Sequence, residues 1–207
     1  MVRYVPGQPF DPEERILESG TPLYRVFSNA RTGGVTHFNP GFGSATRFAF
    51  FGEPAVAVLY AAQTEEAAVC ETILHEVPPG PGRVMYDNIA DKICAPLTPT
   101  RNLRLVSLMG DGPRNLQTEA KLVTGTSSSQ YGRTVRWAEA AHKAGFEGMV
   151  WMSNRRSSDR DYVFFGDRVI PGDLTALGDR GRIFAAGPDF DWLGNYLAGL
   201  GIDIMLP

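Results

Sequence analysis

Cysteine is scarce in this chain. Cys70 and Cys94 form no C-x-x-C pair and are too few for a disulfide framework, so a reducing cytoplasm is the expected compartment and cysteine-ligated metal is not expected. Long apolar runs are also missing: no segment is of membrane-spanning length, and the start of the chain, with Pro6, Pro9 and the charges from Asp11 to Arg15, lacks the core of a signal peptide. Neither sign of charge dominates, since 20 Lys and Arg face 23 Asp and Glu. A net charge of -3 gives no general attraction to nucleic acid or an anionic membrane, so an anionic ligand must be caught by specific residues. Among motifs, G-x-S-x-G and H-E-x-x-H are absent. Gly41-Phe42-Gly43-Ser44-Ala45-Thr46 lacks the third glycine of a dinucleotide fingerprint and precedes a strand-like stretch instead of a helix. Glu71 and His75 stand four apart but have no further ligand cluster, so no metal is expected, and His37 and His142 show no partner.

What is present is ordinary globular composition, 43% hydrophobic and 21% charged over 207 residues. That length fits a single domain, with a core at about 20–175 and extensions at 1–19 and 176–207. Leu23 to Phe27 has strand composition, and glycine-rich Asn29 to Ser44 reads as a long functional loop. Thr46–Phe51 and Val56–Tyr60 read as two strands of a hairpin turning at Gly52-Glu53-Pro54. Thr64 is placed to cap a helix running to about His75, with Glu65 and Glu66 in its first turn. Further strands are expected at Val84 and Leu103–Leu108, and a helix at Gln130–Ala144, capped by Ser127 to Ser129 and ended by Gly145. Met149–Met152 and Tyr162–Phe165 should form an antiparallel pair around a polar loop, and a last helix lies within Trp192–Leu200. No repeat or low-complexity tract appears. Strands interleaved irregularly with few helices predict an α+β fold with a mixed, largely antiparallel split sheet.

Three charges sit where apolar residues belong. The strand period of two puts Arg25 on one face with Leu23 and Phe27. A desolvated guanidinium needs a partner, and its planar fork suits phosphate or carboxylate, although a structural ion pair or a snorkelling edge residue explains the strand equally well. Arg47 repeats the pattern beside Phe48 and Phe50. In the first helix, Ala67, Cys70 and Leu74 make an apolar stripe and Glu71 falls inside it. An inward carboxylate meets a cation, meets donors, or is held neutral, and both a structural salt bridge and an active site satisfy that. Tyr60 ends its strand, where it packs in the core or stacks on a ligand. Ser153 follows Met149-Val150-Trp151-Met152 at a strand end, a place where serine usually serves a turn. Arg155, Arg156 and Arg160 occupy the following loop.

In order, Leu23-Tyr24-Arg25, Leu59-Tyr60-Ala61-Ala62, the Glu71 helix and Gly148-Met149-Val150-Trp151-Met152-Ser153 resemble the RES domain family, named for its arginine, glutamate and serine. The resemblance covers roughly residues 20–175. It implies an ADP-ribosyltransferase-like fold and a toxin that depletes NAD by cleaving the nicotinamide-ribose bond, with water or inorganic phosphate as acceptor and no further cofactor. It also implies a cognate antitoxin, often with a helix-turn-helix DNA-binding domain, which this chain does not itself show. By position, Arg25, Glu71 and Ser153 match the naming catalytic residues, and Arg47 and Tyr60 match further pocket positions. Around Arg47 the chain reads Ser44-Ala45-Thr46-Arg47-Phe48-Ala49 where many members carry Gly-x-Arg-Trp-Asn, so the arginine is kept and its surroundings differ. The alternatives are a protein ADP-ribosyltransferase using the same pocket, a catalytically silent NAD- or nucleotide-binding module, and an interaction protein whose Arg25 and Glu71 pair in a packed core.

Overall fold

Alternating apolar residues decide the faces of the strands, and most strands here are apolar on both. The computed structural model describes residues 2–30, 33–178 and 181–206. In chain order its elements are β1 (Glu14–Leu17), β2 (Leu23–Ser28), β3 (Val58–Ala62), α1 (Glu65–Thr72), β4 (Gly82–Met85), β5 (Lys92–Pro99), β6 (Leu103–Ser107), α2 (Gly112–Asn115), α3 (Ala120–Val123), α4 (Tyr131–Lys143), β7 (Gly148–Met152), β8 (Arg160–Phe165), β9 (Leu174–Ala176), β10 (Arg182–Ile183), α5 (Gly187–Gly199) and β11 (Ile202–Met205).

The main sheet runs β1-β6-β7-β8-β3-β2-β5-β10, with β9 also on β5, and within it only β6 and β7 pair in parallel. Strands β4 and β11 form a separate parallel pair. The fold is therefore α+β with a largely antiparallel sheet, as the irregular interleaving predicts. Met149, Trp151, Val163 and Phe165 point to one face, where α4 supplies Trp137, Ala138 and Ala141. Val150, Tyr162 and Phe164 point to the other, against Leu23, Leu59 and Leu105. A third cluster joins Ala67 and Cys70 of α1 to Leu193 and Leu197 of α5, with Val26 and Ala62 from the sheet. Strand packing is close enough at Gly148 that a Cβ would lie 2.1 Å from the Val163 carbonyl oxygen, so only glycine fits.

Several local expectations are corrected. Thr46–Phe51 is not a strand, and no hairpin turns at Gly52. Thr46 and Ala49 bond each other in a tight turn (3.0 and 3.3 Å), which drives Phe48 and Ala49 fully into the core, Phe48 edge-on to Trp151 at 5.0 Å. Burial of these side chains outweighs the strand propensity of the run. Strand β5 is disguised by Pro96 and Pro99. Pro96 stands opposite Tyr24, while its carbonyl accepts from Leu177 N (3.0 Å), so its missing N–H falls on the side away from β2, where the β9 ladder has ended. Helix α1 stops at Thr72, short of His75, and α5 begins at Gly187, earlier than Trp192. The serines do not cap α4: Ser128–Gln130 is a 3-10 turn, and Ser127 Oγ bonds Ser129 Oγ (3.0 Å). Gly145 does end α4, at φ 85°.

Candidate functional site

The site begins at a defect in the sheet. Strands β2 and β3 share a single registered pair, Tyr24 with Ala62, and beyond it they part. The loop that follows β2 enters the gap, and Asn39 exchanges both backbone hydrogen bonds with Val58 (2.7 and 3.0 Å) where β2 would otherwise continue. The wedge between the strands holds a cavity of 240 Å³ lined by Arg25, Tyr60, Arg47, Glu71, Trp151 and Asp161 among others. That is below the roughly 300–1,000 Å³ usual for a whole small-molecule site. It is not isolated. A 730 Å³ groove shares Arg25, Val26, Asn39 and Thr72 with it, and a 650 Å³ groove shares Arg47, Glu71 and His75, so the three make one trough.

Glu71 is presented by a helix that is short but firmly started. Thr64 Oγ1 accepts from Ala67 N (3.1 Å) as the cap and donates to Asp159 Oδ2 (2.8 Å), tying α1 to the loop after β7. The same loop is closed by Ser153 N donating to Asp159 O (2.8 Å) and by Arg155, which bonds the carbonyls of His75 (2.7 Å) and Val77. Arg155, although exposed, thus clamps the loop to the segment that follows α1. With Ala67, Cys70 and Leu74 buried, Glu71 lies on the inward side of α1, as the stripe requires, with its side chain 18% exposed to the cavity.

The Glu71 carboxylate meets two of the groups singled out in the sequence. Ser153 Oγ donates to Oε1 (2.8 Å), and Arg47 Nη1 stands 3.8 Å from Oε2. Ser153 is itself buried and lies behind Glu71: its one proton is given to the carboxylate, and the residue is not part of the cavity wall. Arg47 is buried, its guanidinium 5.9 Å from the Tyr131 ring centre, and among the described residues its Nε has no hydrogen-bond partner. A buried cation with one long carboxylate contact and an unused donor is under-satisfied in this state. Tyr131 in turn bonds His75 Nε2 (2.8 Å), and His75 Nδ1 contacts Glu76 Oε1 (2.6 Å), so the imidazole is committed away from Glu71.

Tyr60 is held by its hydroxyl, which pairs with Thr46 Oγ1 (2.9 Å) and accepts from Phe48 N (3.1 Å), and burial pushes its phenol up to about 12. The ring therefore forms cavity wall and stays neutral. Arg25 is separate from this group. It points to the β2 face opposite α1, donates to the carbonyls of Val35 (2.8 Å) and His37 (2.6 Å), and makes no ion pair among the described residues. Burial alone lowers it to about 10, still protonated at neutral pH. Arg25 and Glu71 line one cavity but do not pair, which is not the arrangement of a packed structural ion pair.

Asp161 was missed by the sequence reasoning. It lies on β8 opposite Trp151 and Ala62, is 2% exposed, and lines the cavity. Burial first, and then the neighbouring Glu71 carboxylate, push it up to about 9. The signal was available: Asp161 is in phase with Val163 and Phe165, an inward charge by the same period-two argument that exposed Arg25, but the polar run before it assigned it to a loop.

With the geometry established, comparison with known proteins gives a consistent result. The RES domain family model matches residues 22–177. No curated protein matches. Among solved structures, the chain is similar to one in the crystal structure of the M. tuberculosis MbcT-MbcA toxin-antitoxin complex, at 15% identity and a TM-score of 0.58, covering 80% of this chain and 86% of that one. At that identity the likeness speaks for the fold.

Proposed function

Since this chain belongs to the RES domain family, we propose that it is a toxin-type enzyme that cleaves the nicotinamide-ribose bond of NAD in the wedge between β2 and β3. The observation that carries the proposal is the Glu71 carboxylate, fixed by the Ser153 hydroxyl at 2.8 Å and facing a partly enclosed cavity with Arg47 beside it.

Breaking the N-glycosidic bond sends its electron pair out with neutral nicotinamide and leaves positive charge on the ribose, so the transition state resembles an oxocarbenium ion. A carboxylate that cannot turn away stabilises that charge without reorganising at the moment of reaction. Glu71 takes this role and accepts from a ribose hydroxyl. Ser153 acts through Glu71, as its positioning residue. The nicotinamide ring sits against Tyr60 and Trp151, and the small central cavity takes ring and ribose while the rest of the dinucleotide lies in the adjoining grooves. Arg25 and Arg47, one at each groove, hold phosphates. Water adding at the ribose carbon gives ADP-ribose and a proton. Inorganic phosphate adding there gives ADP-ribose 1″-phosphate.

Purified protein is incubated with NAD, with and without inorganic phosphate, and nicotinamide and the ADP-ribose product are resolved by chromatography. Release of nicotinamide supports the proposal, and the second product separates hydrolysis from phosphorolysis. Label transferred to protein would replace it with ADP-ribosyl transfer, and NAD binding without release would make the chain a silent binding module. The toxin-antitoxin neighbour further supports a protein antitoxin as partner, of the helix-turn-helix type the family resemblance implies. Growth arrest on expression, relieved by co-expression of that partner, is the expected result.

A further inference from the structure

We propose that Asp161 is a positioning residue of the Glu71 site, carrying a proton at neutral pH and donating it in a hydrogen bond to the Glu71 carboxylate. The inference rests on the proposed NAD-cleaving function and adds a group to it.

Hydrogen-bond donors around Asp161 and Glu71 are too few for two carboxylates. Asp161 sits beside both Glu71 and Ser153, yet Ser153 has one proton and gives it to Glu71, so among the described residues neither Asp161 oxygen finds a hydrogen-bond partner at 2% exposure. The groups facing it from each packed element are Glu71 and the Cys70 thiol on α1, Arg47 from the turn before β3, Ser153 after β7, and on its own sheet Trp151 and Ala62. Arg47 is the single cation of this set and stands nearer to Glu71. Two carboxylates with one cation cannot both stay charged out of water, and two ionised carboxylates cannot hydrogen-bond each other. A proton on Asp161 answers both problems. It removes one buried negative charge and supplies the donor that Glu71 lacks on its second side. Glu71 is then gripped by a hydroxyl and a carboxyl, leaving its charge to face the cavity.

Asp161 binds its proton more tightly folded than unfolded, so it costs no stability in acid, and stability falls as pH rises above the unfolded value of 3.8 towards about 9. In turnover, loss of the proton at alkaline pH removes the donor and lets Glu71 move.

The experiment uses the full chain and three variants of one position. Asp161→Asn, whose amide still donates but never ionises, should keep nicotinamide release within roughly threefold and lose the alkaline fall of kcat seen in the wild type. Asp161→Ala should lower kcat roughly tenfold or more with KM little changed, as a lost positioning contact does. Asp161→Glu, with the acid displaced, should fall between them. Independently of turnover, the melting temperature of Asp161→Asn relative to wild type should increase from pH 5 to pH 9. A difference that is flat over that range would overturn the proposal even if the enzyme is active. The same alkaline limb in Asp161→Asn and wild type would also overturn it. If the wild type releases no nicotinamide, the NAD-cleaving function fails, and the melting curves still decide the proton on Asp161.

Discussion

Replacing Glu71 with glutamine tests the centre of the proposed chemistry with little change of shape. The amide oxygen still accepts from Ser153 Oγ, so the 2.8 Å contact survives, while the charge facing the cavity and Arg47 is removed. A full positive charge about 4 Å from a carboxylate is worth about 4 kcal/mol at an effective dielectric near 20. The ribose in the transition state carries part of that charge, so the loss should be about 2–4 kcal/mol, or roughly 30- to 900-fold in kcat. KM should change less, because in ground-state NAD the positive charge sits on the pyridinium nitrogen and moves onto the ribose carbon facing Glu71 only as the bond breaks. Stability should also move little. Losing the partner of buried Arg47 is unfavourable, but the contact is long at 3.8 Å, and removing the negative neighbour of Asp161 is favourable. Single-turnover nicotinamide release, with melting curves to confirm folding, gives the answer. A folded Glu71→Gln variant that turns over like wild type would refute the electrostatic role and with it the mechanism.

Arg25→Met should raise KM for NAD roughly tenfold while leaving kcat within a few-fold, since Arg25 bonds two loop carbonyls and does not touch Glu71; an unchanged KM would make it only a clamp for the loop at Val35 and His37. Thr64→Ala removes both the cap of α1 and the tie to Asp159, costing about 1–2 kcal/mol. At about 2–4 °C per kcal/mol for a chain of this size, the melting temperature should fall by a few degrees, and kcat should fall with it because α1 carries Glu71. Arg101 grips Asp173 through two bonds (3.0 and 2.9 Å) and also bonds Glu147, holding the Asp173 carboxyl below its usual range. That stability is present above the unfolded value of 3.8 and is lost as pH falls through the lower folded value. Arg101→Ala should therefore lower the melting temperature at pH 7 and flatten its acid dependence below pH 3.8, and an unchanged acid slope would count against the pairing.

The legible parts of the sequence were those where a short period met a strong contrast. Strands β7 and β8, helix α4 and the cap of α1 could be read because apolar runs with capping or turn residues at their ends admit few alternatives. Glu71 stood out as the one charge in an apolar helical stripe. Strand β5 was hidden because its prolines signal a break unless the side on which each N–H falls is known, and that depends on the neighbouring strands. The Thr46–Phe51 turn was hidden because its aromatic residues look like strand and are in fact core fillers. Asp161 was hidden because β8 begins at Arg160, two residues before the expected Tyr162.

By itself, the sequence determined that the chain folds with mixed strands and helices, that Glu71 points inward, and that Arg25 is a cation in apolar company. These follow from periodicity, which is a local property of the backbone. Tertiary structure alone decided that β2 and β3 part after one registered pair, that Ser153 reaches Glu71 across 82 residues of chain, and that Arg25 does not pair with it. It also decided that two carboxyls and one buried guanidinium share a single small space. The physical reason is that desolvation and charge coupling depend on distance in space, and no pattern along the chain contains that distance.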